Sequence, residues 1–210
     1  MLVWIVAYAV SGVLAIVCAE RGWKRPEVVL KPLTTLLLLG LVGVPETRFA
    51  WLVGAGIVLS VIGDVALLGE GNRAFLVGLA AFLLAHVAYV IAFIGVAAFS
   101  PVVALVALVV VASTTIMLRT IWKGAAGLHG PTIAYGAVIS AMVVSASATV
   151  GGPLRWGGAA AVGAVLFYAS DASLALNRFR RPFPHHAIAT MGIYWLGQIG
   201  IALAARYGLR

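Results

Sequence analysis

The sequence predicts an all-α, polytopic membrane protein: eight transmembrane helices joined by short loops, with both termini on the extracytoplasmic side. Three observations predict it. Of 210 residues, 63% are hydrophobic and only 10% are charged, against about 25% charged in an ordinary soluble domain. Mean hydropathy is +1.12. The apolar residues fall in eight continuous runs and do not alternate, the pattern of a helix bundle and not of a barrel. A single soluble core cannot absorb so much apolar sequence beneath so thin a charged surface. One cysteine, Cys18, excludes an intrachain disulfide and a cysteine-based metal cluster.

The runs cover about 2–19, 28–44, 49–68, 74–98, 101–122, 131–150, 156–176 and 186–206. Each is ~17–25 residues, enough as a helix to cross ~30 Å of hydrocarbon, and together they leave room only for one transmembrane domain, 1–210. The first is read as a span and not a cleaved signal, because no Lys or Arg precedes it and Arg21 follows it. Cys18, near its end, reads as a packing residue. The second is the shortest and holds Lys31-Pro32, where the proline sets a local kink. On the third, Gly56, Ser60 and Asp64 share one face at i, i+4 and i+8, so a neighbouring helix can come close to Asp64. The fourth carries His86 about twelve residues in, with Tyr89 on the same face. The fifth ends near Arg119, which snorkels to the interface. The sixth offers only hydropathy. The seventh ends on Ser170-Asp171, and the eighth carries Tyr194 and Gln198 on one face.

Net charge is +8 with a pI near 10.3. The basic residues sit in short loops, so this balance reports membrane topology and not nucleic-acid binding. Nine fall on one side: Arg21, Lys24, Arg25, Arg73, Arg119, Lys123, Arg178, Arg180 and Arg181. Four fall on the other: Arg48, Arg155, Arg206 and Arg210. The side with nine is assigned to the cytoplasm, and the expected location is a bacterial inner (cell) membrane.

Ionisable groups are costly in hydrocarbon and mark function by default. Lys31, Asp64, His86 and Asp171 lie within spans, whereas Glu20, Glu27, Glu46 and Glu70 lie at span ends or in loops. With Tyr89, Tyr194 and Gln198 they come from five spans and all fall at or below mid-bilayer, toward the cytoplasm. This reads as one polar cavity open to the cytoplasm or inner leaflet. Each residue also has a plainer reading: the aspartates as interhelical ties, His86 as a satisfied core group, Lys31 as a snorkelling amine, and Tyr168 and Ser170 as supports. His129, His185 and His186 lie in loops and read as solvated. With one intramembrane histidine, no metal is assigned, and no cofactor. The chain contains no P-loop, GxSxG or HExxH motif.

If Lys31, Asp64 and Asp171 share a cavity, the lysine neutralises one carboxylate and the other tends to hold a proton, because like charges repel in hydrocarbon. An acid beside a base suits hydrolysis; it suits a transporter's proton relay equally. An internal echo, Gly63-Asp64-Val65-Ala66-Leu67 against Ser170-Asp171-Ala172-Ser173-Leu174, each followed by Asn-Arg, fits a four-span parallel duplication.

Several motifs together resemble one family. They are Lys31-Pro32; Gly63-Asp64-xx-Leu67; Phe75-xx-Gly78-xxx-Phe82-xxx-His86-xx-Tyr89; Phe167-xx-Ser170-Asp171; and Tyr194-xxx-Gln198. The chain resembles the lysoplasmalogenases, the YhhN-like integral membrane proteins, from about 31 to 198. The resemblance implies an eight-helix hydrolase that cleaves the vinyl ether of a lysoplasmalogen-like lysophospholipid to a fatty aldehyde and a glycerophospho-alcohol. It places the family's two intramembrane aspartates at Asp64 and Asp171. Lys31, His86, Tyr89, Ser170, Tyr194 and Gln198 are then expected to bind substrate: His86, Tyr89, Tyr194 and Gln198 orient water or substrate, and Lys31 with Arg21, Lys24 and Arg25 holds the lipid phosphate. The implied partners are the lysophospholipid and membrane lipids, with no nucleic acid; oligomeric state is not read from these patterns. A proton-coupled transporter and a non-catalytic scaffold stay open beside this reading. The scaffold requires that the two aspartates be separately satisfied and far apart.

Overall fold

The computed structural model describes residues 2–98 and 100–209; Arg210, counted above among the basic residues of the outer side, lies outside them. The described residues form helices α1 (Leu2–Glu20), α2 (Lys24–Val42), α3 (Arg48–Leu67), α4 (Gly71–Ile94), α5 (Pro101–Ile121), α6 (His129–Ser147), α7 (Gly157–Phe179) and α8 (Ile193–Tyr207), with a π-helical turn at Ile188–Gly192 leading into α8. No strand occurs among them. Seven helices are long and apolar enough to cross a membrane. The remaining one, α2, has 19 residues but carries Lys24, Arg25, Glu27 and Lys31. It starts four residues earlier than the apolar run because its first turn projects into solvent, with Lys24, Arg25 and Pro26 exposed. Pro26 sits in that first turn, where its missing N–H has no helical partner to lose.

Consecutive helices pack side by side: α3 with α4, α7 with α8, and α1 with α2. α8 also touches α2 and α3, and α4 touches α6, so the middle of the bundle lies between α3, α4, α7 and α8. α5 stands at the edge against α6 and is the least buried span. α7 and α8 approach backbone to backbone. A Cβ added at Gly163 would stand 2.5 Å from the Gly197 carbonyl oxygen, and one at Gly197 would stand 2.6 Å from that of Gly163. Small residues allow this contact where lipid supplies no hydrophobic drive. Leu105, Leu108, Val162 and Leu196 are among the large apolar side chains exposed on the outside, as a lipid-facing surface requires.

Polar contacts gather the loops at two ends. At one end, Lys24 Nζ binds Glu70 Oε1 at 2.7 Å, Arg178 donates to Asn72 Oδ1, and Glu20 Oε1 accepts the Ala187 N–H. Lys24 holds the exposed Glu70 carboxyl below its ordinary range through that bond. At the other end, Arg206 donates to the Leu41 carbonyl, Ala98 N–H to that of Ala148, and Arg155 N–H to that of Gly208. The Arg178–Asn72 bond joins the Asn-Arg pairs of the two echoing segments. Of the loop histidines, His129 stacks on Trp122 at 4.0 Å and His185 Nδ1 lies 3.0 Å from Glu20 Oε2.

Candidate active site

The buried polar groups form two clusters. The first surrounds Asp64, on the face of α3 that Gly56 and Ser60 share. Its carboxylate lies 3.7 Å from Lys31 Nζ, with side-chain exposures of 2% and 13%. Thr35, one turn beyond Lys31 on α2, donates to Asp64 Oδ2 at 2.5 Å, and Tyr194 donates to the same oxygen at 3.3 Å. A cation and two hydroxyls thus surround one buried carboxylate. The network runs on through α8. Gln198 Nε2 donates to the Tyr194 hydroxyl and to Ser60 Oγ, Tyr89 OH donates to Gln198 Oε1, and Trp195 Nε1 donates to Thr35 Oγ1. Gly56 makes room for the Tyr89 ring, which a Cβ there would strike.

The second cluster surrounds Asp171 on α7. Tyr135 of α6 donates to Asp171 Oδ2 at 2.5 Å, and His86 Nε2 of α4 lies 3.7 Å from the same oxygen. No Lys or Arg pairs with Asp171 among the described residues. His86 is fully buried, and neither ring nitrogen has a hydrogen-bond partner among the described residues. Its ring packs edge-on against Tyr135 and Phe167, and its Nε2 faces the Asp171 carboxylate.

Aromatic rings link the clusters. Phe167 packs against His86 at 4.6 Å and against Tyr194 at 4.9 Å, centroid to centroid. A contact chain therefore runs Lys31, Asp64, Tyr194, Phe167, His86, Asp171. The two carboxylates share no hydrogen-bond partner among the described residues.

Two open spaces reach this region. An apolar groove enclosing about 700 Å³ runs between α4, α5, α6 and α7; Asp171 and Tyr135 line it, and Asp64 does not. A polar vestibule of about 1250 Å³ lies at the Lys24 end, lined by Glu27, Lys31, Arg178, Arg180 and Arg181 among others. Arg21, Lys24 and Arg25 do not line it.

Of the residues expected from the sequence, the structure joins Lys31, Asp64, Tyr89, Tyr194 and Gln198 in one network and His86 with Asp171 in the other. Ser170 stands apart: its hydroxyl donates to the Thr190 carbonyl in the π-helical turn. Tyr168 shares hydroxyl contacts with Ser113 and Thr114 of α5. Thr35 and Tyr135 were not among the expected residues. Thr35 had a signal, the four-residue spacing from Lys31 that puts both on one helix face. Tyr135 had none, because a tyrosine in an apolar span is ordinary.

Comparison with known proteins places relatives beside this geometry. A family model described as the YhhN family matches residues 27–205. Mouse lysoplasmalogenase TMEM86B is 30% identical over 202 residues, spanning 96% of this chain and 84% of its own length. The human lysoplasmalogenase TMEM86B is 33% identical over 178 residues, 83% of this chain and 73% of the relative. Bovine lysoplasmalogenase TMEM86A is 31% identical over 155 residues, 71% of this chain and 63% of the relative. No solved structure matches.

Proposed function

The chain belongs to the YhhN family, and from that premise we propose that it is a membrane-embedded hydrolase of the vinyl ether bond of lysoplasmalogen-like lysophospholipids. The observation that carries the reading is the unlike setting of the two aspartates. Asp64 is balanced by Lys31 and lies off the groove, whereas Asp171 has no cation and lines it. Asp171 is then the acid and Asp64 the ionised partner.

Tyr135 donates to Asp171 Oδ2, which leaves Oδ1 to carry the proton. Asp171 delivers that proton to the vinyl carbon distal to the ether oxygen, and the C=C electron pair forms the new C–H bond. The adjacent carbon and oxygen become an oxocarbenium ion. The negative charge of Asp64 and the neutral hydroxyls of Tyr135 and Tyr194 favour that cation, as the second carboxylate does in two-carboxylate glycosidases. Water entering from the groove adds to the cationic carbon, and its released proton returns to Asp171. The hemiacetal passes its hydroxyl proton to the ether oxygen and separates into fatty aldehyde and glycerophospho-alcohol. One water is consumed, and the enzyme ends as it began.

In this reading the whole chain, 1–210, is a single transmembrane domain in a cell membrane. α2 is the eighth span, and both termini lie outside. The support is the charge pattern: among the described residues, nine cations in loops or at helix ends lie toward the Lys24 end, against Arg48, Arg155 and Arg206 toward the other. The direct test is aldehyde release from a 1-O-alkenyl lysophospholipid by membranes containing the protein. The transporter reading predicts solute uptake and no aldehyde.

A further inference from the structure

The arginines that follow α7 have no part in the chemistry above. Arg180 and Arg181 line the vestibule and form no ion pair among the described residues. The other two cations there are occupied: Lys31 pairs with Asp64, and Arg178 donates to Asn72 with its guanidinium 5.0 Å over the Phe75 ring. Glu27 is the single carboxylate in the lining. The segment is also held in place. Asn177 Oδ1 accepts the Phe183 N–H, Glu20 accepts the Ala187 N–H, and His185 reaches Glu20. A loop needed only for topological charge requires neither a cavity nor these ties. Arginines on a cavity wall, carried by a segment tied down on either side of them, can match the oxygen geometry of a phosphate group.

The vestibule and the groove are adjacent. Leu67, Phe75, Leu174 and Phe179 line both. One space is cationic and the other almost wholly apolar, so a molecule spanning their common wall needs an anionic head and a long chain. We infer that the vestibule is a phosphate site read by Arg180 and Arg181, and that one lysophospholipid lies across the wall with its headgroup there and its chain in the groove. This rests on the proposed substrate class. Only the glycerol unit separates phosphate from ether oxygen in such a lipid, so seating the phosphate in the vestibule brings the ether to the wall beside Asp171.

The test measures binding of a saturated 1-O-alkyl lysophospholipid, which cannot be hydrolysed, to the full-length protein in maltoside micelles, which hold no phosphate. The companion ligands are the 1-O-alkylglycerol of equal chain length and inorganic phosphate. Arg180→Ala/Arg181→Ala should raise the Kd of the lysophospholipid about tenfold or more and leave the alkylglycerol Kd unchanged. Ala175→Phe, or the milder Ala172→Leu, should weaken both lipids alike, and inorganic phosphate should compete only far above the lysophospholipid Kd. Equal or absent effects of the arginine variant on the two lipids would overturn the headgroup site. Full competition by phosphate near that Kd would make it a free-anion site, and groove variants without effect would remove the chain from the groove. Because the ligand lacks the vinyl group, a chain that binds in this pattern yet releases no aldehyde would end the proposed activity and leave the site standing.

Discussion

Lys31 Nζ on α2 lies 3.7 Å from Asp64 Oδ1 on α3, an ion pair largely removed from solvent. Its energetic worth lies in what its absence leaves behind. Lys31→Met strands a buried carboxylate, and breaking such a pair from one side costs about 3–5 kcal/mol. Thermal unfolding in detergent should show a large fall in Tm for Lys31→Met. The double variant Lys31→Met/Asp64→Asn should recover most of it, because no uncompensated charge remains.

Among the described residues, Tyr135 is tied to Asp171 and to no other side chain by a hydrogen bond. Tyr135→Phe keeps the ring against His86 and removes the donor that fixes Oδ2. Stability should fall by about 1–3 kcal/mol in a denaturation series, because Oδ2 is left without a donor. Turnover should fall about tenfold or more with KM nearly constant, since the bond acts on the acid and not on the chain or headgroup.

The α7–α8 contact depends on the absence of side chains. Gly163→Ala sets a methyl 2.5 Å from the Gly197 carbonyl oxygen, while Gly158, also on α7, has open space around it. Gly163→Ala should destabilise by about 1–3 kcal/mol, and Gly158→Ala should be neutral or slightly stabilising because alanine favours the helix. Parallel Tm measurements on the two variants decide it.

Protonation at carbon leaves a label. Hydrolysis in D2O should place one solvent deuterium on the aldehyde carbon next to the carbonyl, read by mass spectrometry of the trapped product. Aldehyde formed without that deuterium would mean that the C=C bond is not the site of proton transfer.

Much of this was legible in the sequence because hydrocarbon makes polarity conspicuous. Continuous apolar runs fixed seven spans within a few residues, and Asp64, His86 and Asp171 stood out as groups that lipid penalises. α2 was the least regular expectation because its charged first turn dilutes its hydropathy. The π-helical turn at Ile188–Gly192 was not legible. It accompanies a tertiary bond, from Ser170 on α7 to the Thr190 carbonyl, and local pattern carries no trace of such a partner. Tyr135 was missed for the same reason, as its partner is 36 positions away. Arg180 and Arg181 were read for topology alone, since charge in a loop says which side it faces and not that a cavity waits there.

The decisive comparison is aldehyde release from a 1-O-alkenyl lysophospholipid by matched amounts of folded wild-type, Asp171→Asn and Asp64→Asn protein. The wild type should release aldehyde and glycerophospho-alcohol in equal amounts. Asp171→Asn, which keeps shape but has no proton to give, should lose about 10²–10⁴-fold in rate, and Asp64→Asn should fail to a comparable degree. Wild-type rates in Asp171→Asn would mean that this carboxyl group is not the acid.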